Sequence, residues 1–501
     1  MDFSKNNLGV SSAKQALTKT VTRQIVMVEK LTLSLAEKVQ EFYEEEIDTK
    51  YVESAKLDSK ILLHTKRDPN SAAIRELSLE KDELDQLIKP HQEGNRAILD
   101  NVVDLLIESK NTRRHFEIIL GTLLLNYPID KKDINFDKRN EINKVLRPIY
   151  QSALMSLLVE KLLLEGFSFK SDFLADLLLP FKGSDNSEEE QEQALIALQK
   201  LMVEIIYLKE MGFCSPKSLE VLTRSGENDL LDQQNRDVLR AQSVIDSKAF
   251  HHYGVGALTI KPNKVKPVVA TSSAEKKLPT SQVKAMEEKR QQRYQAEVIK
   301  AERTAQMMQA ARFAFIKDVM DSHPEELSEI DELLKVCQVY TSFMLSVKGN
   351  VDKELNIKAY DVMQKQAKEN KLNRLFTDTL LAMMGRFPIG SGIYFLDLRR
   401  HANEFGSIDK AIVTGLNPQD PDEPEVKRVT TKYKYKLDSG TVRVSKRINL
   451  YFEEAREAKS FTYKLQIRFK TQFESEDKEL FYSFRANDAF RTLSVSEFKL
   501  W

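Results

Sequence analysis

Leu372, Leu375, Phe376, Leu380 and Met383, then Gly385-Arg-Phe-Pro-Ile-Gly390-Ser-Gly, then Ile393-Tyr-Phe-Leu, and later Ala411-Ile-Val-Thr-Gly-Leu-Asn-Pro418 make up the stretch on which the fold turns. The first set recurs at intervals of three and four, the mark of an amphipathic helix. The glycine-proline run reads as a corner, because glycine accepts positive φ and proline fixes φ near a turn value. The two apolar runs that follow read as strands. Lys371 to Pro424 is therefore expected to run helix, corner, strand, loop, strand.

Outward from that stretch, 501 residues are enough for several domains, and the formal net charge is zero. A balanced charge creates no global field to gather a nucleic acid polymer or an anionic membrane. Cys214 and Cys337 are the sole cysteines. That supply argues against a disulfide framework or a zinc site, suits a reducing cytoplasm, and casts both as small core residues. The most apolar runs, Phe116 to Leu125 and Ala153 to Leu164, are too short or too charged to span a membrane. The expected location is the cytoplasm, with no membrane span.

Residues 1–139 read as a helical module, with Ile25, Val28, Leu31, Leu35 and Val39 on one face and further helical patterns at Leu77 to Ile88, Ile98 to Ser109 and Arg114 to Tyr127. Lys261 to Pro279 has the composition of a flexible linker, and Ser281 to Met320 that of a long, charged helix lying on its own domain. A further helix start is expected at Ser322-His-Pro. After Pro424 the period becomes two, with strands at Val429 to Leu437, Thr441 to Phe452, Phe461 to Lys470 and Glu479 to Phe484, and a turn at Asp438-Ser-Gly440. One face of that sheet would carry Lys432, Lys434, Lys436, Arg443, Lys464 and Arg468, a solvated face of the kind that protects sheet edges.

The helix, Pro-Ile-Gly-Ser corner and strand ending near Asn417-Pro418 resemble the C-terminal end of the HD-GYP family of cyclic di-GMP phosphodiesterases. The resemblance can be followed backwards. Tyr150-Gln-Ser-Ala-Leu is similar to the family's first metal-site helix, with Gln151 in the histidine's place. Phe173 to Gly183 resembles the helix that ends in the family's His-Asp pair, which would fall at Leu179 and Pro180. Lys200 stands where a further histidine would be, Ser225 and Gly226 where the family has His-His, and Gln338 at a late aspartate. The resemblance thus implies a helical, mainly α domain over 140–424 with an insertion at about 235–310, and the period of two makes 425–501 a small antiparallel β domain. It also implies a metal site whose ligands are all replaced.

A site of that type activates water through a divalent metal held by imidazole and carboxylate groups. Glutamine, leucine, proline, serine and glycine cannot rebuild it, and a lysine repels the metal. The expectation is a catalytically inactive relative with no cofactor and no metal. It would act by binding other proteins, or a cyclic dinucleotide at Lys200 and Arg224. The alternatives are an active phosphodiesterase with displaced ligands, or a purely structural helical scaffold. The chain has seven histidines, with one adjacent pair, His251-His252. With no carboxylate at ligand spacing, that pair reads as surface or loop histidines rather than as a displaced ligand pair.

Overall fold

The computed structural model describes residues 12–68, 72–107, 113–127, 136–182, 187–224, 233–256, 280–321, 327–346, 354–396, 408–429 and 440–457. The protein is mainly helical. The N-terminal third supplies α1 (Ser12–Glu44), α2 (Ile47–Arg67), α3 (Ala72–Leu106) and α4 (Arg113–Asn126). Two central helices follow, α5 (Phe136–Leu164) and α8 (Glu188–Met211), separated by the short α6 (Asp172–Leu177) and α7 (Leu179–Lys182). Next come α9 (Pro216–Arg224), α10 (Gln233–Ala249), a π-helical turn at Phe250–Val255, and the long α11 (Thr280–Asp321). Then α12 (Glu329–Met344), α13 (Glu354–Lys368) and α14 (Arg374–Met384) lead into strands β1 (Gly392–Leu396), β2 (Ile408–Val413), β3 (Glu425–Val429) and β4 (Val442–Arg443), before α15 (Glu453–Glu457).

The core is built on α5 and α8. Leu201 to Leu208 is buried on every side of α8, which is what an unbroken apolar run with one acid in it requires. Ser187 starts α8 with a reciprocal capping box to Glu190, satisfying amide groups that the first turn leaves unpaired. The face of α1 read from sequence is packed inward at Ile25, Val28, Leu35 and Val39, and these belong to one cluster that continues through Tyr150, Tyr207 and Tyr340 to Ile389. The helices before residue 139 therefore share a core with those after it.

The corner forms as its residues dictate. Asn373 caps α14 by accepting from the Phe376 amide at 3.2 Å. Gly385 and Gly390 then take φ of 68° and 95°, the left-handed region. At Gly390 a side chain is also excluded by space, since a Cβ there would lie 2.6 Å from the Gly121 carbonyl oxygen of α4.

The strands pair antiparallel in the order β1-β2-β3-β4. Because β2 pairs with β3, at Val413 with Val426, the sheet draws on both sides of the boundary expected at residue 424. Its inner face carries a second, smaller cluster of Phe387, Ile393, Phe395, Val413 and Val426. The strand expected over Thr441 to Phe452 stops at Arg443, where a turn closes with the Ile448 and Asn449 amides donating to the Ser445 carbonyl. Arg443 is engaged by Glu423 at 2.7 Å. The strands expected at 461–470 and 479–484, the linker at 261–279, and Lys432, Lys434, Lys436, Lys464 and Arg468 lie outside the described residues. So does Ser322; the described start of the next helix is Ser328, which forms a capping box with Asp331.

Candidate functional site

Of the positions matched to the family's metal site, Gln151 is buried on α5, where its Nε2 donates to Glu210 Oε1 at 3.0 Å. Lys200 lies on α8 with its ammonium 2.6 Å from Asp104 of α3. Gln151 meets α8 at residue 210, ten residues beyond Lys200, so the two sites are about 15 Å apart along that helix at 1.5 Å per residue. Leu179 is 61% exposed on α7, and Pro180 beside it is half-buried. Gln338 is half-buried on α12, where its carbonyl accepts from Ser342. Arg224 ends α9, and Ser225 and Gly226 lie outside the described residues. Gln151 and Lys200 are thus held by separate carboxylates in separate places. No group of three His, Cys, Asp or Glu among the described residues is placed to hold a metal ion.

The concentration of chemistry lies elsewhere, where α3, α8, α11 and the π-turn meet. Glu204, 2% exposed, has both carboxylate oxygens engaged. Arg96 Nη1 of α3 donates to Oε1 at 2.7 Å, and Arg312 Nη2 of α11 donates to Oε2. Burial alone would push the Glu204 carboxyl up, but Arg312 and Arg96 outweigh it and hold the group below the usual carboxylate range. A buried carboxylate is tolerated because two guanidinium groups compensate it.

Arg96 has a second task. Its Nη2 donates to the Gly256 carbonyl at 2.6 Å, Asn95 Nδ2 to the Gly254 carbonyl at 2.9 Å, and Gln92 Nε2 to the Tyr253 carbonyl at 2.9 Å. Carbonyls at the end of a helical segment have no partner within it, and α3 supplies donors for these. That is why a helix can end on a wide π-turn here. The turn swings His251 inward, 1% exposed, with its ring stacked on Phe313 of α11 at 4.7 Å. Burial pushes its pKa down to about 4, against a pull upward from Glu204. His252 packs against Phe313 at 5.4 Å and edge-on to Tyr253 at 5.0 Å. The pair read as surface or loop histidines is therefore an ordered, partly buried element, and His251 is neutral at neutral pH.

The acid of the cluster is neutralised by its own arginines, while the buried His251 Nε2, its ring stacked on Phe313, has no hydrogen-bond partner among the described residues. The cluster ties three helices and one turn together: α11 is drawn down through Arg312 and Phe313, and farther along through Phe315, stacked on Phe173 of α6 at 4.9 Å. The sequence carried one signal for it. Glu204 and Arg312 each interrupt an apolar segment, and a charge in such a place needs a partner of opposite sign, whereas Arg96 follows the polar run His91 to Asn95 and gives no such signal. Both cysteines are buried, and burial pushes the Cys214 thiol up to about 12 and the Cys337 thiol well above its ordinary value.

A scan against protein-family models and searches of curated proteins and of solved structures find no match to this chain. No described helix is long and apolar enough to cross a membrane.

Proposed function

We propose that the chain is a catalytically silent, HD-GYP-like regulatory protein of the cytoplasm that acts by binding other proteins. One observation carries the silent part of this reading; the HD-GYP likeness rests on the sequence resemblance alone, since Gln151 and Lys200 do not share one pocket. The described positions that the resemblance assigns to metal ligands hold Gln151, Leu179, Pro180, Lys200 and Gln338, and the side chains of Gln151 and Lys200 are tied to Glu210 and Asp104 some distance apart. Water activation needs imidazole and carboxylate groups converging on one ion. A neutral amide, an alkyl chain and an ammonium ion cannot supply that set.

Binding of a cyclic dinucleotide through Lys200 is the weaker form of the proposal, because the charge it would offer is already met by Asp104. The test is elemental analysis of protein purified after growth in manganese- and iron-supplemented medium, alongside calorimetric titration with cyclic di-GMP. The reading expects far less than one metal ion per chain and no heat of binding. Stoichiometric metal that chelators remove only slowly would overturn it. Saturable heat without metal would replace the protein partner with the nucleotide.

A further inference from the structure

The hairpin of α2 and α3 is a two-helix arm. Across its seam Ser54 Oγ donates to Asp85 at 2.8 Å, and Lys81 lies 3.5 Å from Asp58, which fixes the antiparallel register. Beyond Leu57 on α2 and before Ile88 on α3 no described residue is buried, so the outer half of the arm is covered by nothing described except its own second helix. A helix pair of this kind usually buries its remaining faces against something.

The seam itself is Ser54, Leu57, Ile61 and His64 on α2, against Ile74, Leu77, Lys81, Leu84 and Ile88 on α3; all are buried or half-buried. The residues one place before these form two flanking rows. On α2 the row is Glu53, Lys56, Lys60 and Leu63, continued by Arg67 a turn on, so it is basic beyond the acid at its inner end; on α3, from Leu77 onward, it is Glu76, Glu80, Glu83 and Leu87. All nine are exposed. In antiparallel helices, stepping back one residue from the seam rotates both rows to the same side of the hairpin, because each step turns the helix by about 100°. One face therefore carries a basic row beside an acidic row, each with one leucine, Leu63 and Leu87, at 57% and 51% exposure. The opposite side has no such separation, with Asp58, Leu62 and Thr65 beside Arg75, Asp82 and Lys89. Among the described residues, Lys56, Lys60, Arg67, Glu76, Glu80 and Glu83 have no ion-pair partner.

We infer that this face docks on the same face of a second copy of the chain. A two-fold axis along the arm lays α2 of one chain antiparallel to α3 of the other, so each basic row meets an acidic row twice, as an isologous interface requires. The register set by Ser54-Asp85 and Asp58-Lys81 puts Lys60 level with Glu80 of the second copy and Lys56 level with its Glu83. A two-fold axis across the arm would set basic row on basic row, so the charges choose the geometry. The result is a four-helix bundle at the end of the arm. This goes beyond the proposed function, since a dimer is compatible with catalysis or without it.

The test is sedimentation of the full chain and of two variants, Lys56→Glu with Lys60→Glu, and Glu80→Lys with Glu83→Lys. All four positions are exposed, and circular dichroism checks that both variants keep their helix content. The wild type is expected to sediment at twice the chain mass and to fall toward the monomer as salt is raised. Each variant alone should be monomeric, and an equimolar mixture should recover the dimer mass, because the acidic and basic variants complement each other only between chains. A monomeric wild type, dimeric variants, or a mixture that stays monomeric would each overturn the inference. The first of these would assign the face to another protein. Charge pairing within one hairpin cannot produce the recovery on mixing.

Discussion

Replacing Glu204 by Gln tests whether the buried cluster clamps the long helix to the body. The substitution keeps the side chain's shape and removes its charge, leaving Arg96 and Arg312 facing a neutral amide with side chains only 11% and 14% exposed. Each arginine donates one charge-assisted hydrogen bond to the carboxylate, and such bonds contribute about 1.5–3 kcal/mol apiece. The loss should then be about 3–5 kcal/mol, the usual range for removing one member of a buried ion pair. Arg312→Met should cost about half of that, because Glu204 keeps Arg96. Replacing all three charges by apolar groups of similar size should recover much of the loss. The assay is urea unfolding followed by circular dichroism at neutral pH, with amide exchange on α11 as a local readout. The sign with pH also follows. The Glu204 carboxyl is held below its ordinary value, so its contribution is complete above the unfolded-state pKa and is lost as pH falls below it. If Glu204→Gln costs under about 1 kcal/mol, or α11 exchanges no faster, the clamp is wrong.

His251 makes a second pH window. Its pKa falls from 6.5 to about 4 on folding, so the unfolded chain takes up the proton first as the solution is acidified. Stability is complete above 6.5 and declines by about 3 kcal/mol down to pH 4; His251→Gln should remove most of that slope in unfolding curves. At the corner, Gly390→Ala forces a Cβ to 2.6 Å from the Gly121 oxygen at a φ of 95°, and should lower stability by about 1–3 kcal/mol from backbone strain alone. Gly94→Ala, inside α3 with open space around the new methyl, should raise it by up to about 1 kcal/mol. Opposite signs at these two glycines are readable as shifts in the thermal midpoint. Cys214 and Cys337 should resist a thiol reagent in the folded protein and both react in denaturant; rapid labelling of one in the folded state would contradict their burial.

Helix positions were legible wherever the sequence kept a strict period. Ser281 to Met320, read from its charged composition and not from a strict period, became α11 at Thr280–Asp321, and the glycines of the corner fell where positive φ was needed. Periodicity says that a face is buried without saying against what. The apolar stripe of α1 looked sufficient for a separate module, yet it packs into the core of α5 and α8 because long-range pairing leaves no local trace. His251 was misread for a related reason. Its burial depends on α3 donors some 160 residues away, Gln92, Asn95 and Arg96, which satisfy the carbonyls of a turn that periodicity would make a loop. The flanking rows of the arm were written in the sequence from the start, but reading them requires the seam, and the seam requires the register.

The central claim, binding in place of catalysis, is tested most directly by incubating the purified full chain with cyclic di-GMP and added manganese or iron and resolving the nucleotides by chromatography. The account predicts that the cyclic dinucleotide is recovered intact. Accumulation of the linear dinucleotide or of GMP in proportion to protein concentration would contradict it.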